Sequence, residues 1–172
     1  MTDTRPDAVA HWCSDAGAAD AVAALFVAHA DPSYISHSEL QLGRATDLGT
    51  WAADLGDRVR RLAARAADPR GEAEDGIRLA TLSRKGRLVG LAFVAFSGRA
   101  LVPYATLEDL LIAPEERGRG SGNRFVEWIV AECQSAGMRR LFLESGAGNH
   151  RAHDFFAREH FRQISIVMMR DL

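Results

Sequence analysis

The stretch that decides the fold runs Leu107-Glu-Asp-Leu-Leu-Ile-Ala-Pro-Glu-Glu-Arg-Gly-Arg-Gly-Ser-Gly-Asn-Arg124. Its first half is typical of a strand, its centre is a glycine-rich loop, and a helical pattern follows. Bare backbone amides at a helix N-terminus bind anions, because the amides point outward and the helix dipole favours negative charge. Arg117 and Arg119 lie in the loop, and Glu108 and Asp109 lie on the strand before it. The segment therefore predicts a phosphate-binding loop close to a candidate general base.

The glycine loop differs from two common nucleotide-binding loops. A P-loop carries a lysine after its last glycine, whereas Asn123 follows Gly122 here. A dinucleotide-binding fingerprint follows the first strand of a βαβ unit, whereas this loop follows the fourth predicted strand. Neither class is predicted, and the remaining alternative to an anion site is a plain glycine-rich turn.

Composition indicates one ordinary globular domain. The chain has 172 residues, of which 47% are hydrophobic and 26% charged. The formal net charge of −2 argues against a nucleic-acid binder, and no apolar run approaches the roughly 18 residues that a membrane-spanning helix needs. The first residues lack the apolar core of a secretion signal, and Cys13 and Cys133 form no CxxC pair. We expect a reduced cytoplasmic protein that binds neither nucleic acid nor membrane.

Hydrophobic periodicity predicts the element order β-α-α-β-β-β-α-β-α-β, a mixed α/β sheet with helices on both faces. In the first half we expect a strand over 8–13, a helix that Ser14 or Asp15 caps, and a second helix whose apolar stripe begins at Leu48 and Trp51. A polar, mobile connection is expected at 68–76. The second half then predicts a hairpin of 77–82 and 87–96, a strand over 103–112, a helix over 121–136, a strand over 141–143, a helix over 149–159 and a last strand over 161–169.

Two blocks of the sequence resemble the GCN5-related N-acetyltransferase (GNAT) family. The first is Arg117-x-x-Gly120-x-Gly122 after a strand that ends Ile-Ala-Pro-Glu-Glu. The second is Leu141-Phe-Leu-Glu-Ser-Gly146, followed by Asn149-x-x-Ala152-x-x-Phe155-Phe156 and by Phe161. The resemblance covers about residues 87–172 and is only topological before them. It implies one GNAT-like acetyltransferase domain over 1–172, with acceptor-side helices in 1–76, an acetyl-CoA-binding core in 77–172, and a sheet that splays between the strands ending at Ile112 and Leu143.

The resemblance also implies acetyl-CoA as co-substrate. Unpaired strand amides near Leu110 to Ala113 would bond the pantetheine arm, and the loop amides would hold the pyrophosphate, where a Cβ would keep the backbone off the phosphates. Arg117 or Arg119 would add charge, although Arg119 is equally explained as a solvated surface arginine. The predicted cofactor-binding residues are Leu111, Ile112, Ala113, Arg117, Gly118, Arg119, Gly120, Ser121, Gly122, Asn149 and Phe156.

Amine acetylation needs a neutral nitrogen, because an ammonium group has no lone pair. In the Leu-Glu-Asp-Leu pattern, Glu108 resembles the glutamate that acts as general base in several family members. Two roles stay open for it: a base, acting directly or through water, and a contact for the charge of the acceptor. Strand alternation sends Glu108 and Asp109 to opposite faces, so Asp109 is expected to be structural or acceptor-binding.

Phe156 departs from the family pattern, in which many members carry a tyrosine that is proposed to protonate the departing thiolate. Ser145, Tyr104 and Tyr34 are alternative donors, and water is another, since a thiolate of pKa roughly 8.5 is a tolerable leaving group. His150 and His153 have the i,i+3 spacing of a shared helix face, but surface histidines are common at a helix start, so no metal is expected.

The acceptor pocket of this fold is usually built by the first two helices and their connection. Tyr34, His37 and Glu39 lie in that connection, for which an ordinary polar loop is the alternative. The predicted acceptor residues are Tyr34, Glu39, Asp109 and Ser145, whose carboxylates would suit a cationic amine.

The expected function is acetyl-CoA-dependent transfer of an acetyl group to a primary amine of a small molecule by direct attack. Two alternatives stay open: the same chemistry on a protein or peptide amine, and a non-catalytic acyl-CoA-binding module, for which Phe156 is the argument. A homodimer is expected, because dimers are frequent in the family and the strand at 164–169 would pair across an interface.

Overall fold

The computed structural model describes residues 8–68 and 75–172. The expectations for the first seven residues and for most of 68–76 therefore lie outside the described residues. The elements are β1 (Val9–Trp12), α1 (Ala19–His29), α2 (His37–Gln41), β2 (Ala45–Asp47), β3 (Thr50–Trp51), α3 (Leu55–Ala66), β4 (Asp75–Arg84), β5 (Arg87–Ser97), β6 (Tyr104–Ile112), α4 (Ser121–Ser135), β7 (Arg140–Leu143) and α5 (His150–Arg158).

The chain forms two compact units. Unit 1 comprises the segment up to Ala30 together with Asp54–Glu144, and unit 2 comprises Asp31–Ala53 together with Ser145–Leu172. Unit 1 therefore contains the main sheet and the glycine loop. Unit 2 contains the connection after α1, the last helix and the C-terminal segment.

Unit 1 is built on a sheet with the strand order β1-β4-β5-β6-β7. Neighbouring strands are antiparallel except β6 and β7, which are parallel. The β4–β5 hairpin turns through Lys85 at φ 52° and Gly86 at φ 76°, the pair of positive φ angles that a type I′ turn requires. This pattern confirms the predicted hairpin and the mixed sheet.

Both faces of the central strand are covered. Residues 89–94 of β5 are all buried, although successive side chains of a strand point to opposite faces. Helices α1 and α3 pack against each other, and they contact β5 and β4 respectively. Helix α4 lies near β1, where Trp12 Nε1 donates to Glu132 at 2.7 Å and the Trp12 and Trp128 rings are 5.1 Å apart. The predicted mixed α/β architecture is thus confirmed.

Two predicted elements are wrong. The helix expected from Leu48 begins at Leu55, because 45–51 forms the β2–β3 hairpin, in which Asp47 Oδ1 accepts from the Gly49 amide at 2.7 Å. The strand expected over 161–169 is not formed, and residues 161–172 have no regular secondary structure. Strand-forming residues become a strand only when another strand pairs with them, and none of the described strands does so.

Candidate active site

A β-bulge places Glu108 at a special position on β6. Leu107 lies opposite Val94 and Asp109 lies opposite Phe93, so Glu108 is an extra residue with no counterpart on β5. Bulges are over-represented next to active sites, because they re-aim side chains. Glu108 is partly exposed. Asp109 is only 2% exposed, and Leu107 and Leu111 are buried as well. Glu108 and Asp109 therefore differ in burial, and the 2% exposure of Asp109 agrees with a structural role.

The sheet divides at the same point. Strand β6 pairs with β7 only through the register Tyr104↔Arg140 to Leu107↔Leu143. From Glu108 onward, β6 keeps its pairing with β5 alone among the described strands. The predicted splay between β6 and β7 is therefore present, and it begins at the bulge.

The direction of the backbone amides distinguishes among the strand residues that are predicted to bind the donor. The Ala113 amide donates to the Val89 carbonyl at 2.9 Å, so it is used within the sheet. Because amides of an antiparallel strand point alternately to either side, Leu111 also faces β5, and the Ile112 amide is directed to the side that β7 has left. Of the three strand residues predicted to hold the pantetheine arm, Ile112 is the one whose amide faces the division in the sheet.

A partly buried ion pair fixes the two ends of the glycine loop. Glu116 is 2% exposed and accepts from Arg84 Nε and Nη2, both at 2.9 Å. Ser121 Oγ, at the first residue of α4, donates to the same carboxylate at 2.7 Å. The hydrogen bonds from Arg84 and then Ser121 hold the pKa of Glu116 below its ordinary value. Sequence reasoning missed Arg84 and Glu116, since 32 residues separate them and no local pattern links them.

The hydrogen bond between Ser121 and Glu116 leaves the predicted role of Ser121, which is that of its backbone amide, unchanged. The side chain of Ser121 is 3% exposed and its hydroxyl is hydrogen-bonded to Glu116. The part of Ser121 that remains suited to a phosphate is therefore its backbone amide at the start of α4.

The loop itself has the features of an anion site. Gly118 has φ +72° and Gly120 has φ +75°, and a Cβ at either position would meet nothing within 4 Å. The two glycines are thus required by backbone conformation rather than by close neighbours. Gly120 supplies no side-chain cap to α4, and the first turn of α4 carries no acidic residue. Outward amides at an uncapped helix start, with exposed Arg117 and Arg119 beside them, suit a phosphate group.

In unit 2, Glu39 is a structural residue and not an open acceptor contact. It is 2% exposed, and its Oε2 accepts from the Ser36 amide at 2.7 Å and from Ser36 Oγ at 2.6 Å. Its Oε1 accepts from Arg44 Nη2 at 2.7 Å. The prediction that Glu39 lines an acceptor pocket is wrong, because both carboxylate oxygens are engaged inside the fold. The Ser36-x-x-Glu39 capping-box spacing was the signal that could have identified this role.

A close backbone approach in unit 2 brings two predicted residues into neighbouring segments. A Cβ on Gly146 would lie within 2.5 Å of the Ile35 carbonyl oxygen and still closer to that of Ser33. The segment after β7 therefore packs directly on the connection that carries Tyr34. Ser145 adjoins this contact, and the Tyr34 ring lies 6.2 Å from the ring of Trp51.

Tyr104 is a poor proton donor for chemistry at Glu108. It lies four residues away at the start of β6, a separation of about 13 Å along a strand. Its ring packs edge-on against Phe142 with centroids 5.5 Å apart. Of the three alternative donors, Tyr34 and Ser145 in unit 2 therefore remain.

The late helix holds the remaining predicted residues. Asn149 Oδ1 accepts from the Ala152 amide at 3.2 Å and so caps α5. Phe156 packs edge-on against Phe155 and Phe161. The rings of His150 and His153 are 5.9 Å apart, and within 8–68 and 75–172 no three His, Cys, Asp or Glu side chains are placed to hold a metal ion.

Two shallow clefts of about 440 and 290 Å³ share Pro103, just before β6 begins. They lie at the opposite end of that strand from the glycine loop and contain none of the predicted site residues. We therefore base the candidate site on the bulge and the loop. No helix in the described part of the chain is long and apolar enough to cross a membrane.

Solved structures share this fold. An aminoglycoside N-acetyltransferase, AAC(6')-Iy, in complex with CoA, has a TM-score of 0.69 at 12% identity over 100% of this chain and 99% of that one. A ribosomal-protein-alanine N-acetyltransferase from Brucella melitensis has a TM-score of 0.64 at 10% identity, covering 96% and 100%. A glucosamine-6-phosphate N-acetyltransferase from Arabidopsis thaliana has a TM-score of 0.59 at 13% identity, covering 96% and 99%. At these identities the likeness concerns the fold.

The sequence comparisons decide the family. No curated protein sequence matches the chain significantly. The model of the acetyltransferase (GNAT) family matches residues 44–161, which is more than half of the chain and includes the bulge, the division in the sheet and the glycine loop. The chain therefore belongs to the GNAT family and is an N-acetyltransferase.

Proposed function

We propose that this acetyltransferase moves the acetyl group of acetyl-CoA to a primary amine of a small molecule, with Glu108 as general base. The observation that carries the proposal is the coincidence of three features on one segment. The bulge at Glu108, the loss of pairing with β7 and the uncapped start of α4 follow one another along the chain. We further propose that units 1 and 2 belong to one acetyltransferase domain over 1–172.

The order of these features matches the chemistry of the donor. Acetyl-CoA carries its acyl group, its amide-containing pantetheine arm and its pyrophosphate in that sequence. Along the chain, Glu108 comes first, the outward amide of Ile112 follows, and the loop of Gly118 to Gly122 comes last. Arg117 and Arg119 are exposed beside that loop and would add charge toward the phosphates. Asn149 and Phe156 in unit 2 stay predicted cofactor contacts.

The proposed reaction is a direct transfer. Glu108, directly or through water, takes a proton from the amine, whose nitrogen forms a bond to the acetyl carbon while the carbon–sulfur bond breaks. Tyr34, Ser145 and water stay the predicted sources of the proton that the thiolate takes up. A route through an acyl-cysteine gains no support from Cys133, which is 3% exposed and whose pKa burial raises to about 11. Its thiol stays protonated near neutral pH, so it is a weak nucleophile.

A small amine is the first candidate acceptor. Tyr34 and Ser145 stay predicted acceptor-side residues, and the interior position of Glu39 and Asp109 removes two carboxylates from a cation-binding role. A protein or peptide amine is the second candidate acceptor. A non-catalytic acyl-CoA-binding module is the third reading, and a carboxylate on a bulge is the feature that argues against it. A homodimer and a cytoplasmic location also stay proposals.

An assay of free-thiol release with acetyl-CoA and a panel of acceptors tests the proposal. The panel contains small polyamines, amino sugars and short peptides with free N-termini. We expect turnover with at least one small amine and weaker turnover with peptides. A preference for peptides would instead support a protein or peptide amine as the acceptor. Tight CoA binding in a thermal-shift measurement without turnover on any amine would favour the non-catalytic module.

A further inference from the structure

One end of the main sheet carries two clefts that the proposed reaction does not use. Their volumes are about 290 and 440 Å³, and they meet at Pro103. Pockets that hold small molecules usually measure roughly 300–1,000 Å³. The two adjoining clefts are therefore large enough for one small ligand.

Both clefts have the same kind of lining, in which guanidinium groups stand beside apolar side chains. The residues that supply it are Arg78, Phe96 and Met138 in the smaller cleft and Leu101, Arg139 and Arg140 in the larger one. Among the residues that the structure describes, no aspartate or glutamate lines either cleft. Positive charge without a counter-charge in the lining favours an anionic ligand, and the apolar side chains favour one with an apolar part.

The guanidinium group of Arg78 is positioned by packing and not by an ion pair. Its Cζ lies 4.6 Å from the centre of the Phe96 ring and 5.9 Å from that of Trp12. Its Nε is buried without a hydrogen-bond partner, and no carboxylate with a described side chain forms an ion pair with it. Arg44 also has an unpartnered Nε, but its charge is paired with Glu39. Arg78 is thus a fixed, partly desolvated cation at the wall of a cleft, where a bound anion would supply the missing partner.

We propose that this pair of clefts binds a small organic carboxylate with an apolar body. The carboxylate accepts hydrogen bonds from the terminal nitrogens of Arg78, which donate in the plane of the guanidinium while its face stays on Phe96. The apolar body lies against Pro103 and Met138. The two arginines of the larger cleft raise the local concentration of anions at the site.

The proposed carboxylate site is separate from the glycine loop. The clefts lie at the start of β6, whereas the glycine loop follows the end of that strand. The Arg139 amide donates to the Pro103 carbonyl at 2.8 Å, so the backbones of two lining segments are fixed to each other. The carboxylate can therefore bind while the loop is occupied, and the inference does not depend on which reaction the protein catalyses.

Methionine-methyl NMR with benzoate as the probe tests the site directly, because Met138 lines the smaller cleft. Titration with benzoate should shift the Met138 signal, assigned with Met138→Leu, and leave the signals of the exposed Met168 and Met169 in place. Benzamide, the neutral analogue, should bind at least about tenfold more weakly, because it lacks the charge-assisted hydrogen bonds. An unmoved Met138 signal, or equal affinity for benzoate and benzamide, would overturn the proposal.

Two arginine variants separate the proposed site from the glycine loop. Arg78→Gln should weaken benzoate binding at least about tenfold, since the charged partner of the carboxylate is lost. Arg117→Gln is the control for the loop and should leave benzoate affinity unchanged. Unchanged affinity in Arg78→Gln, or a loss in Arg117→Gln instead, would contradict a carboxylate site in the clefts. If Arg78→Gln does not fold, the comparison of benzoate with benzamide on the unmodified protein decides the case.

Discussion

Two regions of this acetyltransferase differ in how their charged residues are used. In the segment from Glu108 to Ser121, the carboxylate on the bulge is partly exposed and the arginines of the loop face solvent. In the connection from Asp31 to Ala53, Glu39 and Arg44 are 2% and 4% exposed and bond to each other. Charge and position along the chain favoured a binding role in both regions. Burial separates them, because a carboxylate with both oxygens engaged inside the fold has nothing left for a substrate.

The glycines of the same two regions differ in a parallel way. Gly118 and Gly120 have positive φ and open space around them, whereas Gly146 packs on the carbonyls of Ser33 and Ile35. The first pair shapes a loop for a ligand, and the third glycine lets two segments of unit 2 meet. The following substitutions test this contrast between ligand-directed and fold-directed residues.

The largest effect is expected from Arg44→Met. It leaves the Glu39 carboxylate buried with Ser36 still donating to it, and removal of one partner of a buried pair costs about 3–5 kcal/mol. Urea unfolding measures the change in the free energy of unfolding. Arg58→Met is the control, because the Arg58–Asp54 pair is exposed and should matter far less. Equal losses in the two variants would show that Glu39 is not held as a buried pair.

Gly146→Ala should be the next most damaging change. The new methyl group would overlap the carbonyl oxygens of Ser33 and Ile35, and these backbone atoms can yield only if the segments move apart. Overpacking of this kind costs about 1–3 kcal/mol in unfolding free energy. Gly148→Ala is the matched control, since nothing lies within 4 Å of its Cβ position. If both variants were equally stable, the close approach would be wrong.

Gly120→Ala should cost about 1–2 kcal/mol, since a residue with a Cβ is strained in the left-handed conformation. The change should also weaken binding of the acetyl donor, because it disturbs the uncapped start of α4. We expect weaker CoA binding by calorimetry, whereas Gly148→Ala should bind CoA as the unmodified protein does. Unchanged affinity in Gly120→Ala would contradict a phosphate role for this turn.

The smallest effect concerns Glu116 at low pH. Its pKa in the folded state is held below the ordinary 4.5 by Arg84 and Ser121, so its ionised form stabilises the fold above pH 4.5. That stabilisation is lost as pH falls below 4.5 through the lowered pKa. Glu116→Gln should therefore have a lower Tm near neutral pH and a shallower fall of Tm in the acid range. A parallel fall in both proteins would exclude Glu116 as a contributor.

How far the sequence predicts this molecule depends on the range of the contacts involved. The hairpin around Gly86, the loop and the start of α4 follow from residues close together in the chain, and they were predicted correctly. The β2–β3 hairpin was missed because Leu48 and Trp51 happen to extend the apolar stripe of α3.

The long-range features had no local signal. The bulge at Glu108 is visible only in the register with β5, and the Arg84–Glu116 pair joins two separate elements. The last predicted strand failed for a similar reason, because composition cannot supply the neighbouring strand that it needs. The sequence therefore predicted the strand, loop and helix of 107–124. It did not predict the residues of β5 and β4 that pair with this segment.

The role of Glu108 as general base is tested by the kcat of Glu108→Gln, measured together with the affinity of the same variant for CoA. If Glu108 takes the proton from the amine, kcat should fall by about 10²–10⁴-fold while the Kd for CoA stays unchanged. Glu115→Gln is the matched control, because Glu115 is an exposed carboxylate paired with Arg87 and should leave kcat unchanged. A kcat for Glu108→Gln within about twofold of the unmodified enzyme would show that Glu108 is not the general base.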